Sequence, residues 1–592
     1  MQKLNEIIKL LDGKAVTSYS KLVGIYERNK IIYRIVSVSG AQYKYAHVDI
    51  EIDKEALLKD FIFSDKDKTA VSTFIMREFS TAVHMANNDM QMSESNVQKG
   101  AFIPYRFGTR VLQSSIVKIT ELKICISLTI KLPFNNSAYN NGSKATQFDK
   151  AQSGSVLAMT QAMQKESLDK RKKGIISQKA LKLLLTKNLP RLMEDFVSHF
   201  DTSLLKDAII LYNDQQFIRN YLKKCGYVSF IANGSVITRK GKTDIKDPCG
   251  VVPFKSPETL EIEIKLPSGK TVYGMGIKQG ITIITGDAYH GKSTILDAIR
   301  EGIYDHISGD GREYVITDSS AMAIRSEDGR SIRNTDISFF LGKLPNNKID
   351  PKRFSTDNAS GSTSQASSVT EAIESGCTLM LFDEDRCANN FMYKDEKMRT
   401  VIKNASTVPF IDNARMMFDR FAISSVIVVG ASGEYFRVAD RVIFVDRFVP
   451  TEYTDYVKGE NYVKTVFSPA QRNADLSSLG KIALRREIEI KSPSSVKIGG
   501  EEIDVSDIVT HVTAGQLDFI SSFIYFLTVM ERNSVCNLYE AVLSLYGKIA
   551  TQGTEFIHQL ALRGSSGVIE YVRPQDMMAV LYRLKCVEFL KK

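Results

Sequence analysis

Residues 285–294, Thr-Gly-Asp-Ala-Tyr-His-Gly-Lys-Ser-Thr, constrain this chain more tightly than any other stretch. A hydrophobic run (Ile281, Ile283, Ile284) leads in and a helical pattern (Ile295, Leu296, Ala298, Ile299) leads out, so the spacing predicts a strand, a glycine loop and a helix. Gly286, Gly291, Lys292 and Ser293 fill the fixed positions of a phosphate-binding P-loop, where glycines let backbone N–H groups curl round an anion. Asp287, Ala288, Tyr289 and His290 complete the loop and Thr294 follows it into the helix, so all are candidate nucleotide-binding residues. The helix N-terminus faces the phosphates with its partial positive charge and unpaired amides. Lys292 is expected to reach the β and γ phosphates, and the Ser293 hydroxyl to be a ligand to Mg2+. A chance glycine turn would lack the flanking strand and helix.

The rest of the composition sets bounds. A length of 592 residues allows two to four domains, with 43% apolar and 25% charged residues as in ordinary folded proteins. A net charge of +10 on this length permits a nucleic-acid partner without requiring one. The seven cysteines form no CxxC pair, which argues against a zinc ribbon or a disulfide framework and for a reducing compartment, the cytoplasm. The N-terminus carries acid as well as base in an amphipathic pattern, a helix and not a secretion signal. The longest apolar stretch, residues 519–530, is too short for a bilayer, so no membrane partner is expected.

Residues 1–250 read as an N-terminal α+β domain, with a strand at 122–132 whose apolar residues alternate with polar ones. Residues 135–155 read as a loop. Two basic runs follow. The first, within 165–191, includes Lys170, Arg171, Lys172 and Lys173; the second, within 219–246, includes Arg239 and Lys240 among Tyr221, Tyr227 and Phe230. Cations for phosphates beside aromatics for bases suit single-stranded nucleic acid. A solvated helix face with buried aromatics is the alternative. Residues 251–465 read as the nucleotide domain, with an alternating strand at 260–266. Residues 466–592 read as a mainly helical region, with helices at 516–532, 538–550, 556–562 and 575–590. Residues 306–313 and 324–330 read as surface turns.

Downstream of the P-loop, a small polar stretch at 356–366 precedes a helical pattern (Val369, Ala372, Ile373) and a hydrophobic strand at 378–382 ending in Asp383-Glu384-Asp385. Two more buried strands are expected at 425–429 and 441–445, the first followed by Gly430-Ala-Ser-Gly433. Asn347-Lys-Ile-Asp350 spells a guanine-reading motif, but no Asp-x-x-Gly lies between it and the P-loop, so it reads as a chance loop.

The order of Ser360-Gly361-Ser362 capping a helix, then a strand ending in Asp-Glu, is similar to that of ABC ATPases. The runs Gly286-x-x-Tyr289-His-Gly-Lys-Ser-Thr294, His306-Ile-x-Gly-Asp-Gly-Arg-Glu313, Ile324-Arg-x-Glu-Asp-Gly-Arg330, Ala359-Ser-Gly-Ser-Thr-Ser-Gln-Ala366 and Asn390-Phe-Met392 resemble the family described as predicted ATPases of the ABC class. The resemblance implies an α/β P-loop core that hydrolyses ATP as a homodimer, with Asp383 holding Mg2+ through water, Glu384 polarising the attacking water and Ser360 to Ser362 serving the partner's γ-phosphate. It also implies RNA handling through a basic opening between protomers. This chain departs from the family at Asp287 and Ala288, where glycines are usual, and at Arg386-Cys387. The usual γ-phosphate-sensing histidine is absent, with Ser432 the nearest polar candidate. Phe254 and Tyr273 are both candidates to stack on adenine. The alternative to a hydrolase is a nucleotide-gated scaffold that barely turns ATP over and recruits protein partners.

Overall fold

The computed structural model describes residues 1–40, 45–59, 61–91, 100–105, 107–136, 174–240, 252–342, 350–402, 406–457, 472–509, 511–530, 535–557, 565 and 567–590. Six strands form the sheet that carries the P-loop: β1 (Ile281–Thr285), β2 (Met322–Ile324), β3 (Leu379–Asp383), β4 (Ser424–Val429), β5 (Arg441–Asp446) and β6 (Val449–Glu452). Their order is β2-β3-β4-β1-β5-β6, parallel but for the β5–β6 hairpin. Continuous apolar runs such as Val426 to Val429 build it because both faces are covered, as parallel strands require. This is the expected α/β P-loop architecture, with all five of the strands anticipated from 260 to 445 present. A second, antiparallel sheet places Tyr227–Ala232 between Thr271–Lys278 and Val315–Thr317, with Glu261–Lys265 at the edge. The strand at 227–232 therefore shares a sheet with residues beyond 250, and the expected boundaries at 250 and 465 both lie outside the described residues.

In the N-terminal part, Lys123–Lys131 buries Ile124, Ile126, Leu128 and Ile130 on one face, the alternation read from the sequence. It pairs antiparallel with Tyr45–Asp53, which continues through Ile31–Ser39 to Gly24–Arg28. Helix Lys68–Gln91 packs against Leu189–His199 through Phe79 and Phe196, with ring centroids 5.2 Å apart.

Helix α1 (Thr202–Cys225) joins this part to the nucleotide sheets. Asp201 caps it by accepting from the Ser203 amide, and Gly226 ends it in the left-handed conformation. Leu205 and Ile209 sit in the N-terminal core, while Ile218 and Leu222 pack on Phe230 and Ile316. Between them Gln215 Nε2 donates to the His306 and Glu313 carbonyls, each at 2.8 Å. The 306–313 turn is consequently anchored under α1, with Ser308 and Gly309 exposed at its tip: His306 Nδ1 lies 2.8 Å from Asp310, and both of these are nearly inaccessible. The 324–330 turn is likewise anchored, with Arg330 buried against Glu371.

The C-terminal part contains helices Ala514–Met530, Leu538–Gln552 and α2 (Pro574–Arg583), together with two three-stranded sheets that the sequence pattern does not anticipate. The last expected helix stops at Arg583 and gives way to strand Glu588–Leu590, paired with Asn473–Asp475. A short 3-10 turn, Thr554–Ile557, stands at the start of the expected 556–562 helix, and 558–562 lie outside the described residues. Among the described residues no helix is long and apolar enough to cross a membrane, and no disulfide forms.

Three parts of the chain meet at the far end of the P-loop helix α3 (Lys292–Glu301). Arg110 Nη2 donates to Glu301 at 2.7 Å and Nε at 3.0 Å, both side chains being 6% exposed. Arg110 also lies over the Tyr304 ring at 4.2 Å, and His511 Nδ1 is 3.9 Å from Glu301. Burial pushes the Glu301 carboxyl up, but the charges of Arg110, then of Arg300 and His511, outweigh it and hold the group at about 2. A carboxyl held below its ordinary 4.5 contributes stability that is fully present above that value and is lost as pH falls towards 2. Glu301→Gln should therefore flatten the fall in the urea midpoint over that acid window. Arg110→Met, which strands the carboxylate, should cost about 3–5 kcal/mol in the same unfolding measurement at neutral pH.

Candidate functional site

β1 is buried to its last turn, with Ile281, Ile283 and Ile284 inaccessible, and it delivers the P-loop at the C-terminal edge of the sheet. Gly286 has φ 147° and a Cβ there would run into the Val445 carbonyl, so the first glycine lets the loop cross β5 closely. Gly291, at φ 98°, starts α3 with no side-chain cap, which leaves the first helical amides facing the loop interior. Lys292 Nζ donates to the Asp287 carbonyl at 2.8 Å, and the Asp287 carboxylate accepts from the Ala288 amide at 2.7 Å. Asp287, standing where the family has glycine, thus satisfies one amide of its own loop. Tyr289 is 97% exposed at the loop tip.

Asp383 ends β3, two strands away from β1. It lies close enough to the Ser293 hydroxyl of the P-loop helix for that hydroxyl to favour its ionised form, while its buried Oδ1 has no hydrogen-bond partner. Burial, with Asp385 adding to it, keeps this carboxyl above its ordinary value despite Arg386. A partnerless buried carboxylate oxygen beside a serine hydroxyl is a set of hard oxygen donors, which fits Mg2+. Among the described residues no group of three or more His, Cys, Asp or Glu side chains forms a separate metal site.

Glu384 follows and is buried, its Oε2 accepting from the Gly430 amide at 2.7 Å and the Ala431 amide at 3.0 Å. The loop after β4, where the sensing histidine is missing, therefore grips the acid through its backbone. A Cβ on Gly430 would lie 3.9 Å from Lys292 Nζ, so the lysine, the acid and this loop share one locality. Ser432 accepts from the Glu434 amide at 3.2 Å and caps the next 3-10 turn.

Ser360 caps helix α4 (Gly361–Glu374), accepting from the Thr363 amide at 3.5 Å. The Ser362 hydroxyl donates to Asn390 at 2.7 Å, and a Cβ on Gly361 would meet Ser326. Among the described residues no hydrogen bond joins Ser360, Gly361 or Ser362 to the P-loop or the acidic pair. The small polar stretch at 356–366 is helical from Gly361 on, so the helix is longer than the pattern read at Val369, Ala372 and Ile373.

The residues read as nucleic-acid contacts divide. Lys170, Arg171, Lys172 and Lys173 lie outside the described residues. Arg239 is committed to the interior, 2.8 Å from Asp310 and donating to the Val236 carbonyl at 2.9 Å, which removes it as a phosphate contact; Lys240 is exposed. Phe230 belongs to the core under α1, so the buried-aromatic alternative holds for it. Phe254 is buried and Tyr273 is half-exposed, which separates the two adenine candidates. Apart from Asp350, the guanine-like motif lies outside the described residues.

Sequence reading misses one close neighbour of the loop. His290 Nδ1 lies 3.0 Å from Asp446 and its carbonyl accepts from the Phe448 amide at 3.1 Å, so the β5–β6 hairpin clasps the P-loop. No glycine or asparagine marks the Arg447-Phe448 turn, so no local signal is present.

Residues 201–477 match a family designated ABC ATPase and described as a P-loop domain. Residues 1–149 match one described as ATPase of the ABC class N-terminal, and residues 487–589 one described as the MRB1590 C-terminal domain. Over 270 residues the chain is 33% identical to uncharacterized protein MJ1628 of Methanocaldococcus jannaschii, an alignment covering 43% of this chain and 58% of that protein. The chain thus spans little more than half the length of that relative. Similar solved structures include cbiO1 from Clostridium perfringens, part of the ABC transporter complex cbiONQ, at 15% identity and TM-score 0.23 over 38% of this chain and 87% of that one. Another is a metal-chelate type ABC transporter in an inward-facing conformation, at 12% identity and TM-score 0.24 over 38% of this chain and 83% of that one.

The close approach of Gly286 to Val445 sets an expectation. Gly286→Ala should weaken binding of inorganic tripolyphosphate and of ATP alike by about tenfold or more, read by calorimetry, with the far-ultraviolet circular dichroism unchanged.

Proposed function

The chain belongs to the ATPases of the ABC class, and from that premise we propose that it binds and hydrolyses ATP with Mg2+ between two copies of itself, coupling their closure to RNA or another single-stranded nucleic acid in the cytoplasm. The observation that carries the reading is Asp383 Oδ1, a buried carboxylate oxygen without a hydrogen-bond partner at a strand end, with Ser293 of the phosphate loop's helix near enough to favour the ionised acid. Ser293 and Asp383 would hold Mg2+, which when bound neutralises charge across the β and γ phosphates. Lys292 turns from the Asp287 carbonyl to the phosphates and stabilises the charge that develops there. The P-loop amides and the start of α3 fix the triphosphate in line. Glu384 orients the attacking water after leaving the Gly430 and Ala431 amides. Ser360, Gly361 and Ser362 of the second copy close over the γ-phosphate with the N-terminal amides of α4.

The nucleic-acid half draws support from Lys170, Arg171, Lys172, Lys173 and Lys240, and from exposed Lys179, Lys182 and Lys187 along residues 178–199. Lys179 and Lys187 line a groove of about 1140 Å3 against helix Lys68–Gln91. Glu78, Asp89 and Asp195 line the same groove, so the exposed lysines on its rim, and not the groove as a whole, are the cations offered to a phosphate backbone.

The backbone grip on Glu384, with Ser432 where the family has histidine, favours a second reading: a nucleotide-gated scaffold with little turnover that recruits protein partners. Steady-state phosphate release with and without single-stranded RNA separates the two. In the hydrolase, Glu384→Gln should lower turnover about 100-fold or more while ATP binding persists and a nucleotide-dependent dimer accumulates in light scattering. Unchanged turnover would remove Glu384 from its assigned role.

Reversing the charges of Lys170, Arg171, Lys172 and Lys173 should weaken single-stranded RNA binding and flatten its logarithmic salt slope by about 0.7 for each phosphate no longer neutralised. An unaltered affinity and slope would dismiss that run as the RNA-binding surface.

A further inference from the structure

The register of β5 with β6 pairs Asp446 with Val449 and leaves Arg447 and Phe448 as a two-residue turn. Both are left-handed, at φ 45° and 70°. Such a turn is ordinarily built from Asn-Gly, and a bulky aromatic in that region is an outlier. The two-residue register demands it and the P-loop packs against it: the Phe448 amide donates to the His290 carbonyl at 3.1 Å, and the Arg447 amide lies 3.3 Å from His290 Nδ1, which also faces Asp446 at 3.0 Å. The Phe448 ring rests on Gly291, where a Cβ would come within 2.8 Å of its Cδ1, and the ring is nonetheless 45% exposed. An apolar ring is thus braced on one side by the phosphate loop and open to solvent on the other.

Sheet order gives this ring a direction. Asp383 and Glu384 end β3, and the amides that hold Glu384 follow β4, both on one side of β1. The β5–β6 hairpin lies on the opposite side. A triphosphate whose γ end points to the acidic pair emerges from the loop with its nucleoside towards the hairpin. We infer that Phe448 is the platform on which the nucleobase stacks, an inference that rests on reading the P-loop as a triphosphate site. Tyr289, 97% exposed, has nothing to hold its ring, Phe254 is buried, and Tyr273 stands on the separate antiparallel sheet and not on the hairpin that clasps the P-loop. A phenyl face offers stacking without a polar atom to read exocyclic groups, so the platform favours purines over pyrimidines and separates adenine from guanine weakly.

The chain contains no tryptophan, so Phe448→Trp in the full-length protein places its sole indole on the platform. ATP and GTP should both quench it, whereas inorganic tripolyphosphate should bind and leave the emission unchanged. Phe448→Ala should raise the Kd for ATP about 5- to 100-fold with that for tripolyphosphate within about twofold of the parent, and Phe448→Tyr should restore ATP binding. Parent-like ATP affinity in Phe448→Ala overturns the inference, as does an equal loss for tripolyphosphate, which would mark a purely structural turn. Loss of ATP binding in Tyr273→Ala with none in Phe448→Ala overturns it in favour of the other ring. If the parent protein binds neither ATP nor tripolyphosphate, the triphosphate reading itself falls, and the platform with it.

Discussion

The P-loop helix is held rigidly at the end away from the P-loop, and the geometry of the site depends on that grip. α3 spans ten residues, about 15 Å, from Lys292 to Glu301. Its C-terminus carries the negative end of the helix dipole and a carboxylate besides, and the buried Arg110 guanidinium answers both. Arg110 belongs to a strand of the N-terminal part, and that strand pairs with Asp305–His306 directly after α3. The neighbouring residues 113 and 115 bond to the backbone of 569 and 571 in the C-terminal part. A displacement of the phosphate loop along α3 therefore has to move, or break, contacts with both flanking regions.

A second polar network surrounds α4. Ser364, Gln365, Ser367, Thr370, Glu371 and Glu374 are all buried, an unusual content for a helix enclosed on every side. Each finds a partner: Gln365 accepts from the Ala388 amide, Thr370 donates to the Asp336 carbonyl, Arg330 pairs with Glu371 and Arg472 with Glu374 at 2.9 Å. Arg583 of α2 binds Glu327 in the turn that abuts the helix N-terminus, and although burial pushes that carboxyl up, Arg583 holds it at about 2. Such networks are costly when half satisfied, so they fix one packing of the C-terminal part on the helix that presents Ser360 to Ser362.

The acidic pair is treated asymmetrically by its surroundings. Asp383 keeps a buried oxygen unmatched beside Ser293, whereas both bonds to Glu384 Oε2 come from main-chain amides of the loop after β4. Hydrogen bonds from fixed amides to a carboxylate are among the stronger ones. Neighbouring residues on one strand end thus sit in opposite conditions, one with an unmatched oxygen and the other restrained, and that difference follows from the β3–β4 pairing that brings Gly430 alongside Glu384.

Much of the core is legible because its signals are local. The strand–loop–helix at 281–301 and the strands ending at Asp383, Val429 and Asp446 each declare themselves within about ten residues, and Ser360 followed by a helix does so almost as well. The two-residue turn at Arg447-Phe448 does not, because it lacks the usual glycine or asparagine and its amide partner is His290, 157 residues earlier along the chain. Arg239 counts as a cation in a basic run, but its partner Asp310 is 71 residues away and takes it into the interior. The 306–313 segment has the composition of a surface turn and exposes its tip, but His306, Asp310 and Arg312 are buried because α1 lies across it. By itself, the sequence determined the phosphate loop, the acidic pair and the α/β class, since those rest on periodicity and short-range backbone chemistry. Tertiary structure alone decided which charges are consumed inside, which acid is restrained and which aromatic stands beside the loop, since each depends on partners distant in the chain, 256 residues apart for Arg583 and Glu327, that only packing brings together.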